Sequence, residues 1–149
     1  MNDETFIDEL RVKLDDLKCG VSIYIEKIDR IHKIIQINYK KYTDIRMNDS
    51  IANDVIECEK QFRLIVKDLI ILQNYLMTSK NENKKVRFIN MRANEHVEMI
   101  IKTVLKNMNT FVFNYSLERV LKSFLVWYKQ EEKKIDKMVK QYENVVVTS

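Results

Sequence analysis

The side chains that could act on a substrate or a metal are few. The chain has two histidines, two cysteines and one glycine among its 149 residues. Asp29 and His32 are three residues apart, so on a helix they would share one face and supply half of a metal site. Arg92 and His96 are one helical turn apart, a spacing that could be interpreted as a ribonuclease pair. We expect local pairing of Asp29 with His32 rather than metal binding. For Arg92 and His96 we expect structural pairing or simple exposure rather than catalysis.

Other signatures of catalysis or cofactor binding are missing from the sequence. The spacings H-x-x-x-H, E-x-x-H and C-x-x-C do not occur, and a single glycine cannot build a phosphate-binding loop. Cys19 and Cys58 lie inside helical patterns, so we expect reduced core residues rather than a disulfide. The sequence therefore predicts a protein that is not an enzyme, with no cofactor, no metal and no small-molecule substrate.

The charges are distributed along the whole chain. The net charge is only +4, because 26 basic residues face 22 acidic ones, and this argues against nucleic acid as the partner. Two basic clusters stand out: Lys80, Lys84, Lys85 and Arg87, then Lys133, Lys134, Lys137 and Lys140. Acidic residues at 131, 132 and 136 balance the second cluster. We expect solvated faces, the alternative being contacts with phosphate or anionic lipid.

Composition predicts an all-α chain in the cytoplasm. One glycine and no proline leave little for tight turns and sheets. No apolar run approaches the ~20 residues of a membrane span, and the acidic N-terminus does not resemble a signal peptide. Gly20 would weaken a helix by roughly 1 kcal/mol relative to alanine, so it is either a tolerated defect or a close helix contact.

Apolar spacing predicts three long helices. Steps of three and four residues, the pattern of one helix face packed on others, run through about 3–39, 50–77 and 86–127. Polar links at 40–49 and 78–85 separate them. We predict an antiparallel up-down-up three-helix bundle over 1–128, followed by a helical extension or linker over 129–149 that frays at its end.

The second helix has apolar residues on two sides. Leu64, Ile71 and Tyr75 share a face roughly opposite the main stripe, with Lys67 and Asp68 between them. Either the extension folds back and buries this face, or it is an exposed groove. In the second case this face is free to receive a partner. On helix three, four side chains lie on a side away from its main stripe: Met99, Lys102, Lys106 and Phe113.

Three stretches resemble the N-terminal Habc domain of syntaxins, the target-membrane SNARE proteins. Helix one contains FIDELRVKL and IEKIDRIHKII, similar to the family's Phe-led start and its I-x-x-I-x-x-L-H ending, with Ile31 in place of Leu. Helix two contains DVIECEKQFRLIVKDL, in which Asp54, Val55, Phe62, Arg63 and the V-K-x-L after them take the family's places. Helix three matches only loosely, through this set: Ile101, Leu105, Met108, Tyr115 and Trp127.

The resemblance implies a non-catalytic regulatory domain. Such a domain gates SNARE assembly in vesicle fusion by binding a SNARE helix, a Sec1-type (SM) protein, or both. In syntaxins a groove between helices two and three holds the SNARE helix, so the resemblance implies a partner-binding groove there. By spacing, its lining would be these residues: Leu64, Lys67, Asp68, Ile71, Tyr75, Met99, Lys102, Lys106 and Phe113. A syntaxin continues into SNARE heptads and a membrane anchor, which this sequence does not show before Ser149. The resemblance then implies either a fragment of a longer chain at the cytosolic face of a membrane or a stand-alone relative. The alternatives are an unrelated helical adaptor, for example a viral one, and a nucleic-acid-binding bundle.

Overall fold

The structure is a computed structural model that describes residues 2–40, 49–107 and 114–148, with side chains at 2–34, 52–107 and 114–141. The described residues form four helices: α1 (Asp3–Lys40), α2 (Asp49–Thr78), α3 (Lys84–Lys106) and α4 (Tyr115–Thr148). The predicted all-α class is confirmed. The first predicted link lies almost entirely outside the described residues. None of the described helices combines the length and the apolarity needed to cross a bilayer.

The first two helices pack antiparallel along most of their length. The Phe6 and Tyr75 rings stack 5.5 Å apart near one end. Further along, Nε2 of Gln61 donates to the carbonyl oxygen of Gly20 at 3.2 Å. A Cβ at Gly20 would lie 3.1 Å from that Nε2 atom. Gly20 therefore marks a close helix contact, one of the two possibilities that the sequence left open.

The predicted single helix over 86–127 is wrong, because α3 ends at Lys106 and α4 begins at Tyr115. Asparagines stand at both boundaries. The backbone N–H of Asn107 donates to the carbonyl oxygen of Val104 as α3 ends. Oδ1 of Asn114 accepts a hydrogen bond from the backbone N–H of Leu117 at 3.0 Å, which is an N-cap. The predicted three-helix up-down-up bundle is therefore not confirmed.

Residues 129–148 belong to α4, so the predicted boundary at 128 falls inside a helix. This helix packs antiparallel along α1: Lys18 pairs with Glu132 at 3.5 Å, and Nδ1 of His32 lies 3.7 Å from Oε1 of Glu118. It also packs against α3, while α3 packs against α2. The described helices thus form an antiparallel four-helix bundle, in which each helix contacts the next and α4 returns to α1.

The core follows one face of every helix. On α1 it is a stripe with the predicted steps of three and four residues, and these members are fully buried: Ile7, Leu10, Leu14, Leu17, Val21, Tyr24, Ile28 and Ile31. On α4 the buried stripe continues past the predicted boundary through Ile135 and Val139, with Met138 packed against its edge. Phe124 and Tyr128 are among the largest side chains that are fully buried. The C-terminal segment therefore completes the core rather than projecting from it.

We expect Ile135→Ala to lower the free energy of unfolding by about 2–4 kcal/mol, because it removes a fully buried side chain from the core. The matched control is Val126→Ala, which trims a side chain on the same helix that is 59% exposed and should change stability by less than about 0.5 kcal/mol. Urea denaturation followed by circular dichroism measures both. Equal small effects would mean that α4 does not pack beyond residue 128.

Candidate functional site

Leu64 and Ile71, two of the apolar side chains predicted to line the groove on α2, are exposed to solvent. They lie along the edge of α2 that borders α1, not the edge that borders α3. Leu64 and Ile71 are 54% and 46% exposed. Leu64 follows Gln61 by three residues and Ile71 precedes Tyr75 by four, so all four side chains share one side of the helix. Gln61 contacts Gly20 of α1, as described above. Leu64 and Ile71 therefore flank the α1–α2 seam.

The other predicted groove residues of α2 also lie toward α1 or solvent. The Tyr75 hydroxyl donates to the carbonyl oxygen of Phe6 at 3.5 Å, and the Tyr75 ring is partly buried against Phe6. The pKa of Asp68 is raised, mainly by burial and then by the nearby charge of Asp16 on α1. Lys67 is exposed.

The predicted groove residues of α3 lie elsewhere. Met99, 58% exposed, lines a cleft with His96 whose other wall is α4, formed by residues 119, 120 and 123. Lys102 is exposed and pairs with Glu98 at 3.4 Å. Lys106 is exposed in the last turn, and Phe113 lies outside the described residues. The geometry thus distributes the predicted set over separate surfaces, and partner binding by these residues stays a prediction.

A surface that the sequence did not predict runs between α3 and α4. It is a cleft of about 520 Å³, which we call the lysine-rimmed cleft. Phe88 lies in it with its side chain 54% exposed, above the buried Ile89 and the partly buried Met138. The charged side chains that line it are these: Lys84, Lys85, Lys134, Lys137 and Glu131.

Charge in the lysine-rimmed cleft is predominantly positive. Among the described side chains, four lysines line it against one glutamate, and that glutamate, Glu131, pairs with Lys134 at 3.6 Å. The two basic clusters were visible in the sequence as separate solvated faces. They form one surface because α3 and α4 are antiparallel, which places the start of α3 beside the second half of α4. Predicting the cleft from sequence would have required locating the boundary between these two helices.

A polar cluster lies at the seam of α1 and α4, near the start of α4. Asp29, His32 and Glu118 place one nitrogen and two carboxylate oxygens within 4.8 Å of one another. Nδ1 of His32 is 3.7 Å from Oε1 of Glu118, and the Tyr115 ring centroid lies 6.1 Å from that of His32. The sequence identified Asp29 and His32 as neighbours. It could not indicate Glu118, which is 86 residues further along the chain.

The two cysteines differ in their surroundings. Both are free, as predicted, but Cys19 is exposed and only Cys58 belongs to the core. Burial raises the pKa of the Cys58 thiol to about 11, an effect that Lys27 reduces and Asp54 reinforces. The Cys58 thiol is therefore protonated at neutral pH and a poor nucleophile.

Comparison with known proteins identifies no match to this chain. No family model matches it, and no curated protein or solved structure matches it either. The resemblance to the syntaxin domain therefore has no support beyond the residues that suggested it.

The predicted pair of Arg92 and His96 takes different partners. Nη1 of Arg92 donates to Oε2 of Glu95 at 2.8 Å, and the His96 ring stacks on the Trp127 ring with centroids 4.9 Å apart. The pKa of His96 is lowered, first by burial and then by the charge of Arg92, while Glu95 opposes the shift. His96 is thus preferentially neutral in the folded chain.

This shift predicts a pH-dependent stability. As the pH falls through the ordinary histidine pKa near 6.5, the unfolded chain binds a proton that the folded chain binds only at lower pH. We expect the free energy of unfolding to fall between about pH 7.5 and about pH 5.5 more steeply for the wild type than for His96→Gln. Urea titrations across that range measure both slopes. Parallel slopes would contradict the lowered pKa.

Proposed function

We propose that the chain is a non-catalytic interaction module that binds an acidic amphipathic helix in the lysine-rimmed cleft. The observation that carries this proposal is Phe88, a large aromatic side chain that is half exposed inside a concave surface. Exposed aromatic residues rimmed by polar ones are typical of interaction sites, because the aromatic ring loses its contact with water only when a partner covers it.

The positive charge of the lysines that line the cleft favours an acidic partner. An amphipathic helix would place its apolar residues on Phe88, while acidic flanks would lie beside Lys84, Lys134 and Lys137. A nucleic acid strand would also meet the lysines. However, it would leave the apolar floor of Ile89 and Met138 without a matching surface, so a helix fits the cleft better.

The resemblance to syntaxins supplies a specific form of this proposal. In that form the domain gates SNARE assembly in membrane fusion by binding a SNARE helix or an SM protein at the cytosolic face of a membrane. Leu64 and Ile71 are accessible to solvent, as partner binding on α2 requires. In the described bundle α4 packs against both α1 and α3, whereas the predicted domain had three helices. The fold therefore adds no support to the syntaxin form of the proposal, which depends on the sequence resemblance.

Binding of designed peptides tests the cleft directly. We expect a helical peptide of about 20 residues, with one leucine face and glutamate flanks, to bind more tightly than the same leucine face with lysine flanks.

Phe88→Asp should weaken binding about tenfold or more, because it replaces the apolar anchor with a repulsive charge. The double substitution Lys134→Glu with Lys137→Glu should weaken binding and reduce its salt dependence. Fluorescence anisotropy of labelled peptides measures each affinity.

Two control variants separate the possible surfaces. Met91→Asp changes a side chain on α3 that is 50% exposed but faces the cleft with α2, and it should leave binding unchanged. Leu64→Asp changes the surface predicted from the sequence and should affect only a SNARE helix or SM protein that binds there. Loss of peptide binding in either control, with Phe88→Asp unaffected, would contradict the proposed cleft. So would equal affinity for acidic and basic peptides, or a preference for oligonucleotide.

A further inference from the structure

The cluster of Asp29, His32 and Glu118 contains ligand types that metals require. Asp29 and His32 project from α1 one turn apart, and Glu118 reaches them from α4. Together they offer one imidazole nitrogen and two carboxylates, all within 4.8 Å of one another. Carboxylate and histidine side chains on facing helices are how metal sites are generally built inside helical bundles.

Among the described residues, one oxygen of this cluster has no hydrogen-bond donor. Glu118 is only 8% exposed, and its buried Oε1 accepts no hydrogen bond from the residues that the structure describes. Nδ1 of His32 lies 3.7 Å away, beyond hydrogen-bonding distance. A buried carboxylate oxygen without a donor is costly, and a bound cation is one of the few partners that would stabilise it.

The separation of these atoms suits two ligands of one metal ion. Bonds of about 2.0–2.1 Å at a tetrahedral centre place neighbouring ligand atoms about 3.4 Å apart. The observed 3.7 Å between Nδ1 and Oε1 is close to that distance. We propose that Asp29, His32 and Glu118 form a site for a first-row divalent cation such as Zn²⁺, with water completing the coordination.

The donor set indicates the class of metal. An imidazole nitrogen favours zinc and its transition-metal neighbours over magnesium and calcium, which prefer oxygen ligands alone. Three protein ligands leave at least one position for water. Because the ligands come from two helices, the ion would join α1 to α4 near the N-terminus of α4. This inference is independent of the lysine-rimmed cleft, which involves other residues and the other half of α4.

Titration of the chelator-treated wild-type protein with Zn²⁺ tests the site. We expect one equivalent to bind, and saturation at about 100 times the dissociation constant to raise Tm by roughly 5–10 °C. His32→Gln and Glu118→Gln should each weaken binding by about tenfold or more, since each removes a ligand. The matched control His96→Gln removes the other histidine of the chain and should bind Zn²⁺ as the wild type does. Isothermal calorimetry gives the stoichiometry and the affinities.

Two further measurements distinguish this site from zinc binding elsewhere on the chain. The exposed Cys19 could bind zinc by itself, so Cys19→Ser must retain the site. Co²⁺ bound to the wild type should broaden the imidazole proton resonances of His32 more than those of His96, and this needs no variant that could misfold. Loss of binding in Cys19→Ser would overturn the proposal. So would unchanged affinity in a folded His32→Gln variant, or equal broadening of the two histidines.

Discussion

The bundle depends on covering the apolar face of α1. That helix has 38 residues and is therefore about 57 Å long, and its stripe is fully buried from Ile7 to Ile31. One neighbour can cover only one flank of such a stripe. The other flank is covered by α4, which lies along α1 from the Lys18–Glu132 pair to the contact between His32 and Glu118. The 34-residue α4 is about 51 Å long and can span the whole buried stripe, while α3 packs on α2 and α4.

Polar contacts then set the register of α4 on α1. The hydroxyl of Tyr128 donates to Oδ1 of Asp15 at 2.5 Å, and Nζ of Lys18 lies 5.6 Å from the centroid of the Tyr128 ring. Burial raises the pKa of Tyr128, and the Asp15 carboxylate raises it further, so the phenol keeps its proton and remains a donor. Apolar stripes alone tolerate sliding by a heptad. The buried Tyr128 hydroxyl does not tolerate such sliding, because a shifted register would separate it from its acceptor, the Asp15 carboxylate.

Much of this fold could be predicted from the sequence, because α1 and α2 carry unbroken stripes of three- and four-residue steps. The break between α3 and α4 could not, since Met108, Phe111 and Tyr115 continue the spacing of α3 across the boundary. Periodicity reports which residues share a face and gives no information on where the chain reverses. Asn107 and Asn114 are the sequence signal for this boundary, since asparagine favours helix ends over helix interiors. The continuous apolar spacing favoured one uninterrupted helix more strongly.

The sites were harder to predict than the helices, since each depends on which helices are neighbours. Glu118 lies beside His32 because α4 returns along α1. Lys84 and Lys137 line the same cleft because α4 also packs on α3. The face of α2 carrying Leu64 was identified from spacing. The neighbour that it flanks, α1 rather than α3, is a tertiary property that spacing does not contain.

The same dependence on neighbouring helices explains how a nearly neutral segment builds a positive cleft. Along the sequence, acidic residues balance the lysines of α4. Successive residues on a helix point in different directions, so this balance does not hold in space. Glu132 and Asp136 face α1, where they pair with Lys18 and Arg11 at 3.5 and 3.6 Å. Among the side chains that the structure describes, Glu131 is the only acidic neighbour of the lysines that line the cleft with α3. The bundle therefore pairs acidic charge on one side of α4 and exposes basic charge on the other.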